Sequence, residues 1–303
     1  GTAAMCYIFK SMKTNRLLNA GDTIALGTPI FTPYLEMPHL EDYDLKIVNI
    51  QATQENRWQF DDAELDKLLD PKIKAFFLVN PGNPSAVALS AKTIAKIGAI
   101  IKKRPDLILL TDDVYGTFVP GFRSLLGAYP YNTIGVYSYS KYFGCTGWRL
   151  GVIAVHEDNL FDKLIAQHPE PVQKKINKRY SALTLEPRKL RFIDRIVADS
   201  RDVALNHTAG LSLPQQVMMM LFSLYELMDT KKSYQKACMG IVKKRVEATL
   251  EGLGIEVERN ELHDNYYGLI DFEFWARKNL GEDVVAWMKE NIHPLDIVFR
   301  LAE

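Results

Sequence analysis

Six short segments constrain this 303-residue chain more than anything else in it: Thr23–Leu26, Leu45–Ile50, Ala75–Val79, Leu107–Thr111, Thr133–Tyr137 and Leu150–Val155. Each is rich in Ile, Leu and Val and apolar on both faces. That pattern suits strands of a mostly parallel sheet covered on both sides, not a sheet with one face in water. Helical stretches lie between them. Asp61–Leu69 opens with acidic residues, and Ser90–Lys103 opens on a Ser cap and closes in a basic turn, which matches the polarity of a helix dipole. Strand–helix alternation over residues 1–156 therefore predicts a layered α/β fold.

The rest of the chain changes character. Residues 157–212 are rich in Lys and Arg and interrupted by Pro169, Pro171 and Pro187, which reads as a helical insertion in the large domain. Leu213–Leu253 reads as one long helix or two in line, with Pro214 in the first turn and Gly254 at the end. Ile255–Glu258 and Gly268–Phe274 read as alternating strands, and Asp283–Ile292 as a helix. The division predicted is a large domain over 1–212, a linking helix over 213–253 and a partial small α/β domain over 254–303. The chain opens on what reads as the first turn of a helix and stops in mid-pattern, as a fragment cut at both ends would.

A formal net charge of zero, with no basic stripe, argues against nucleic acid and against a charged membrane surface as partners. The longest apolar runs are too short to span a bilayer. Three scattered cysteines fit free thiols in a reducing, cytoplasmic compartment. The histidines form no HxH or HExxH pattern, so no metal site is expected.

The chemistry concentrates in Ser138-Tyr139-Ser140-Lys141-Tyr142-Phe143-Gly144-Cys145-Thr146-Gly147-Trp148-Arg149-Leu150-Gly151. Lys141 sits just past an apolar strand, where parallel α/β sheets place ligands. Ser138, Ser140 and the forked donors of Arg149 could hold a dianionic phosphate, and a lysine can form an imine with an aldehyde. This segment closely resembles the lysine motif of the fold-type I aminotransferases, which depend on pyridoxal 5'-phosphate (PLP), and the likeness runs along nearly the whole chain.

Other segments match that family in order. Asn80-Pro81-Gly82-Asn83-Pro84-Ser85 resembles its turn that brings an asparagine, here Asn83, to the phenolic oxygen of the cofactor ring. Ser85-Ala86 stands where the family has Thr-Gly. Thr111-Asp112-Asp113-Val114-Tyr115 resembles the segment whose first acid, Asp112, pairs with the ring nitrogen, with Tyr115 reaching the phenolic oxygen beside Asn83. Strand alternation sends Asp112 and Asp113 to opposite faces, so only one can meet the ring. Gly1-Thr2-Ala3 resembles the helix start that cradles the phosphate, and Phe31, in Pro29–Tyr34, matches the aromatic residue stacked on the ring. The family's partner-subunit tyrosine and the arginine that binds the substrate α-carboxylate have no counterpart; Arg300 lies in the wrong local context and is not assigned.

Asn83–Val87, Tyr115–Phe122 and Tyr142–Cys145, together with the insertion, depart from the ordinary pattern in the manner of the bifunctional aspartate 4-decarboxylase branch. That resemblance implies conversion of L-aspartate to L-alanine and CO2 through a ketimine, with transamination to 2-oxoglutarate as a side reaction, in a homodimer or higher homo-oligomer. A plain aminotransferase, or a non-catalytic ligand-sensing domain of the same fold, remains open on the sequence.

Overall fold

The structure is a computed structural model that describes residues 1–40, 43–201, 210–256, 260–293, 295–296 and 299–300. The apolar runs form a six-stranded sheet in the order β2-β1-β3-β4-β5-β6. The strands are β1 (Thr23–Thr28), β2 (Lys46–Gln51), β3 (Ile73–Val79), β4 (Ile108–Asp112), β5 (Thr133–Ser138) and β6 (Gly151–Val155). All neighbouring pairs are parallel except β5 with β6, which is antiparallel. The order reverses between β1 and β3, so the connections on either side of that gap run in opposite directions and leave a crevice at the carboxyl ends of the strands.

Both faces of the sheet are buried, as the two-sided apolar runs require. On β3, Ala75, Phe77 and Val79 join one apolar cluster, and Ile73, Phe76 and Leu78 join the other. Helix α1 (Thr2–Thr14) covers the first face with Met5, Ile8, Phe9 and Met12. Short helices α2 (Thr32–Glu36) and α3 (Asp62–Asp66) follow β1 and β2. Helix α4 (Ala91–Lys103) covers the second face with Ile94, Ile97 and Ile100, and its Ser90 cap accepts a hydrogen bond from the Thr93 amide at 3.1 Å. Helices α5 (Leu125–Ala128) and α6 (Tyr139–Tyr142) flank β5.

The basic stretch after residue 156 folds into α7 (Leu160–Ala166), α8 (Glu170–Tyr180) and α9 (Phe192–Ser200), and α9 packs along α1. Arg195, 1% exposed, is the polar pin of that contact: its guanidinium donates to Asn15 Oδ1 (3.1 Å) and to the carbonyls of Leu190 and Pro187 (3.0 Å each), with the Tyr180 ring 4.9 Å away. Residues 202–209, the end of the expected insertion, lie outside the described residues.

The long helical stretch is two helices, α10 (Leu213–Met228) and α11 (Ser233–Gly252). The break comes where the Asp229 carboxylate takes the Tyr234 amide at 2.7 Å, ahead of the second helix. Helix α11 closes in a Schellman turn: the Ile255 amide reaches Leu250 O and the Gly254 amide reaches Glu251 O, both at 2.9 Å, with Gly254 at φ +66°, a backbone region that glycine enters without strain.

The C-terminal expectation needs correction. Gly268–Phe274 is not a strand: residues 268–270 have no regular structure and helix α12 (Phe272–Leu280) begins where the Asp271 carboxylate caps the Phe274 amide at 2.9 Å. An Asp cap outweighs the short Phe-Glu-Phe alternation because it satisfies an amide that the first helical turn otherwise leaves bare. Ile255 and Glu256 are not in a strand either, and Val257 and Glu258 lie outside the described residues. Helix α13 (Glu282–Asn291) matches the last expected element within a residue at each end. Among the described residues, no helix is long and apolar enough to cross a membrane.

Candidate active site at the carboxyl ends of the strands

Four strands deliver side chains to one place. Phe31 follows β1, Asn83 follows β3, Asp112 is the last residue of β4, and Ser138 is the last of β5 and caps α6. These residues line a cavity of about 200 Å³ together with Gly1, Thr2, Tyr115, Ser140, Lys141 and Arg149. Every site residue expected from the sequence therefore faces the same space. Tyr34, Val79, Val114, Thr146 and Tyr267 complete its lining.

The cavity gathers two chemically distinct sets of groups. In the first, α1 opens with Gly1 and Thr2, so the bare amides and positive dipole end of a 13-residue helix face the space. Ser138 Oγ donates to Ser140 Oγ at 2.9 Å. Arg149 enters from the turn after α6, its backbone left-handed at φ 57° and ψ 42°, and its Nη1 donates to Thr146 O at 2.8 Å. Hydroxyls, helix amides and a guanidinium make this set suited to an anion.

The second set centres on Asp112, which is buried, 4% exposed, and stands beside the start of α1: a side-chain carbon on Gly1 would lie 3.4 Å from its Oδ2. Its Oδ2 accepts the Tyr34 hydroxyl at 2.6 Å and its Oδ1 the Val114 amide at 3.1 Å. Burial pushes the carboxyl above its ordinary range, and the Tyr34 hydrogen bond works against that shift. A cationic ring nitrogen in contact would restore the ionised form. Tyr115 shares a 2.6 Å hydrogen bond with Tyr267, hydroxyl to hydroxyl. Lys141 stands on α6, its Nζ 5.7 Å from the centre of the Tyr266 ring.

Alternation along β4 separates the two acids. Asp113 faces away, into a second cavity of about 460 Å³, and accepts hydrogen bonds from Thr111 Oγ1 (2.6 Å) and Ser124 Oγ. Burial pushes its carboxyl up to about 7. Among the described residues, no group of three or more His, Cys, Asp or Glu could hold a metal ion.

The loop bearing Lys141 is gripped from the far side. Phe143 stacks on Phe222 of α10 (4.8 Å, 21°) and on Tyr234 of α11 (5.9 Å, 13°). Tyr142 donates to Glu226 at 2.9 Å, and Tyr139 shares a 2.7 Å hydrogen bond with Ser223.

Two lining residues escaped the sequence reading for different reasons. Tyr34 stands three residues past Phe31, one helical turn on, and that spacing could have suggested it. Tyr267 comes from 152 residues beyond Tyr115, in a segment with no motif. That segment docks on the turn after Asn83: the Asp264 amide donates to Ala86 O and the Ala88 amide to Leu262 O, both at 2.8 Å. Ala86 itself sits at φ +58°, in the left-handed region, at the position where the resembling family has glycine. An alanine there costs roughly 1 kcal/mol, which the docked segment helps to hold.

Comparison with known proteins fits this arrangement. The family model described as "Aminotransferase class I and II" matches residues 8–181. A bifunctional aspartate aminotransferase and L-aspartate beta-decarboxylase from a Pseudomonas species is 51% identical over 304 residues, taking in 100% of this chain and 57% of its own length. The aspartate aminotransferase of Pyrococcus abyssi is 32% identical over 149 residues, 47% of this chain and 37% of that protein. The chain thus spans little more than half the length of the Pseudomonas relative. Among solved structures, a Thermus thermophilus aspartate aminotransferase double mutant superimposes with a TM-score of 0.51 at 17% identity, covering 82% of this chain and 55% of that one. A Treponema denticola cystalysin, which contains a pyridoxal 5'-phosphate cofactor, gives 0.52 at 15%, covering 84% and 55%. These distant likenesses bear on the fold alone; the matched family model, running across more than half of the residues, shows that the chain belongs to the class I and II aminotransferases.

Proposed function

We propose that this chain is the PLP-binding core of an enzyme that converts L-aspartate to L-alanine and CO2, with slower transamination to 2-oxoglutarate beside it. The observation that carries the cofactor reading is the meeting of Lys141 and buried Asp112 in one cavity with hydroxyls, a helix start and a guanidinium suited to an anion. The aspartate reading rests on the 51% identity to the Pseudomonas relative along the whole chain. In this reading 1–212 forms the large domain, 213–253 the link and 254–303 part of the small domain.

The donor set fits the cofactor. Gly1, Thr2, Ser138, Ser140 and Arg149 would hold the phosphate, Asp112 the ring nitrogen, Asn83 and Tyr115 the phenolic oxygen, and Phe31 the ring face. When bound, PLP supplies an aldehyde for Lys141 and an electron-accepting ring. Lys141 would hold the cofactor aldehyde, and its amine, when free, would move a proton at the substrate Cα. Asp112, ionised against the ring nitrogen, keeps that nitrogen protonated, so the ring draws electrons more strongly. Tyr34, donating to the same carboxylate, fixes its orientation.

A cytoplasmic homodimer or higher homo-oligomer is part of the proposal. It is supported by the family resemblance and by the apolar side chains that α10 exposes, among them Leu213, Met220, Leu221 and Leu227. Sedimentation of an active protein as a strict monomer would contradict it.

Two measurements on the complete protein test the reading. Borohydride reduction followed by peptide mapping should place the pyridoxyl group on Lys141; label on another lysine, with none here, overturns the assignment. Carbon-labelled aspartate should give alanine and released CO2. Oxaloacetate with no CO2 would make the enzyme a plain aminotransferase, a preference that a barrier difference of about 1.4 kcal/mol already sets at tenfold.

A further inference from the structure

We infer that Tyr267 is a positioning residue of this site: a docked segment holds its hydroxyl on the hydroxyl of Tyr115 and thereby fixes which way Tyr115 directs its proton. The inference rests on the cofactor reading above.

Three observations carry it. The first is the contact, 2.6 Å between two phenolic oxygens drawn from positions 152 residues apart. A phenol has one proton to give. If Tyr267 donates to Tyr115, the Tyr115 proton is left for a group in the cavity. The second is the anchoring of the segment. Besides its backbone bonds to Ala86 and Ala88, Asp264 is fully buried and accepts the Tyr266 amide at 2.7 Å. The neighbouring Tyr266 ring packs on Tyr115 and on Phe118, with centroids 5.1 Å away in each case. Tyr267 is thus held by the residues on both sides of the Tyr115–Asn83 corner. The third is location: Tyr267 lines the same cavity as Lys141, Asp112 and Arg149.

In the cofactor reading, Tyr115 would donate to the ring oxygen and draw negative charge from it, so that a proton shared beside that oxygen would leave at lower pH. Without Tyr267 the Tyr115 hydroxyl is free to turn, the donation weakens, and that pH rises. The other titratable groups here are Tyr266 packed on Tyr115, Asp112 from β4, Tyr34 from α2, Lys141 from α6, Arg149 from the turn after it and the Gly1 amine at the start of α1. None of them changes in the variant below, so the shift reports on the Tyr267–Tyr115 pair.

The test is a spectrophotometric pH titration of the holoenzyme's visible absorption band in wild type, Tyr267→Phe, Tyr115→Phe and the double variant. Tyr267→Phe should raise the midpoint by about half to one pH unit. Tyr115→Phe should raise it at least as far, and the double variant should match Tyr115→Phe, because Tyr267 acts only through Tyr115. Thermal melts of the same proteins separate this from a packing defect, which would lower the melting temperature and leave the midpoint in place. A wild-type band that titrates while Tyr267→Phe titrates identically overturns the role of Tyr267 alone, as does a double variant whose shift is the sum of the two. A wild type with no pH-dependent band overturns the cofactor reading and this inference with it.

Discussion

Asp112 and Asp113 are adjacent in sequence and opposite in surroundings, and replacing each by asparagine should separate a chemical role from an energetic cost. Asp113 has its carboxyl pushed up to about 7 by burial, against roughly 3.9 in an unfolded chain. A carboxyl whose folded pKa is raised binds more protons folded than unfolded between those two values, so its contribution is fully present below about pH 4 and lost as pH rises through 7. At about 1.36 kcal/mol per unit, the wild type loses roughly 4 kcal/mol across that window, about 2 to 3 of it between pH 5 and 7.5. An asparagine in place of Asp113 would titrate over none of it. The amide keeps one acceptor for Thr111 or Ser124 and turns a donor toward the other, a pH-independent change of about 1 kcal/mol. Urea unfolding of wild type and Asp113→Asn at both pH values should therefore show the variant gaining about 2 to 3 kcal/mol relative to wild type at the higher pH. An equal difference at the two pH values would refute the reasoning. On the proposed roles, Asp113→Asn should keep turnover within about threefold, whereas Asp112→Asn, which would leave the ring nitrogen without its counter-charge, should lose at least about a hundredfold. If the two are reversed, the register of β4 at its carboxyl end is wrong by one residue, and Tyr115 moves with it.

Two further outcomes test the scaffold. Ser90→Ala removes the side chain that caps α4 and should lower unfolding free energy by about 1 kcal/mol without touching activity; a change within error would mean the Thr93 amide finds another acceptor. Arg195→Leu leaves buried Asn15 Oδ1 and two half-buried carbonyls without their donor and should cost between about 2 and 5 kcal/mol in a denaturant melt, whereas a neutral result would show that the α1–α9 contact does not depend on its polar pin.

Much of the sheet is legible from sequence because strands buried on both faces must be apolar throughout. All six expected strands form, with ends shifted by at most two residues. The positions just past those strands are legible for the same reason: fixing where β4 and β5 end fixes where Asp112 and Lys141 emerge. Alternation also assigns the two acids to different cavities without any structure in hand. Other features were hidden because their cause is distant or competitive. Nothing near Tyr267 signals that it folds back onto Tyr115, since the contact is made by backbone pairing of residues 262–264 with 86–88. Gly268–Phe274 misleads because two phenylalanines either side of a glutamate suit a strand and a helix start alike, and only the Asp271 cap decides. Arg195 sits in a run of basic residues whose composition gives no sign that one of them is buried beneath α1.

The stack of Phe222, Phe143 and Tyr234 ties three stretches of chain into one unit with little slack. A flat ring stacked on two others cannot be trimmed alone: a smaller side chain at 143 strands both neighbours, and a larger one at 222 or 234 pushes the loop that carries Lys141. Drift at any one of the three positions is tolerated only when another compensates. Related sequences should therefore change at these positions as a set, and a chimera that joins the lysine loop of one relative to the linking helices of another should lose activity until the three rings are matched.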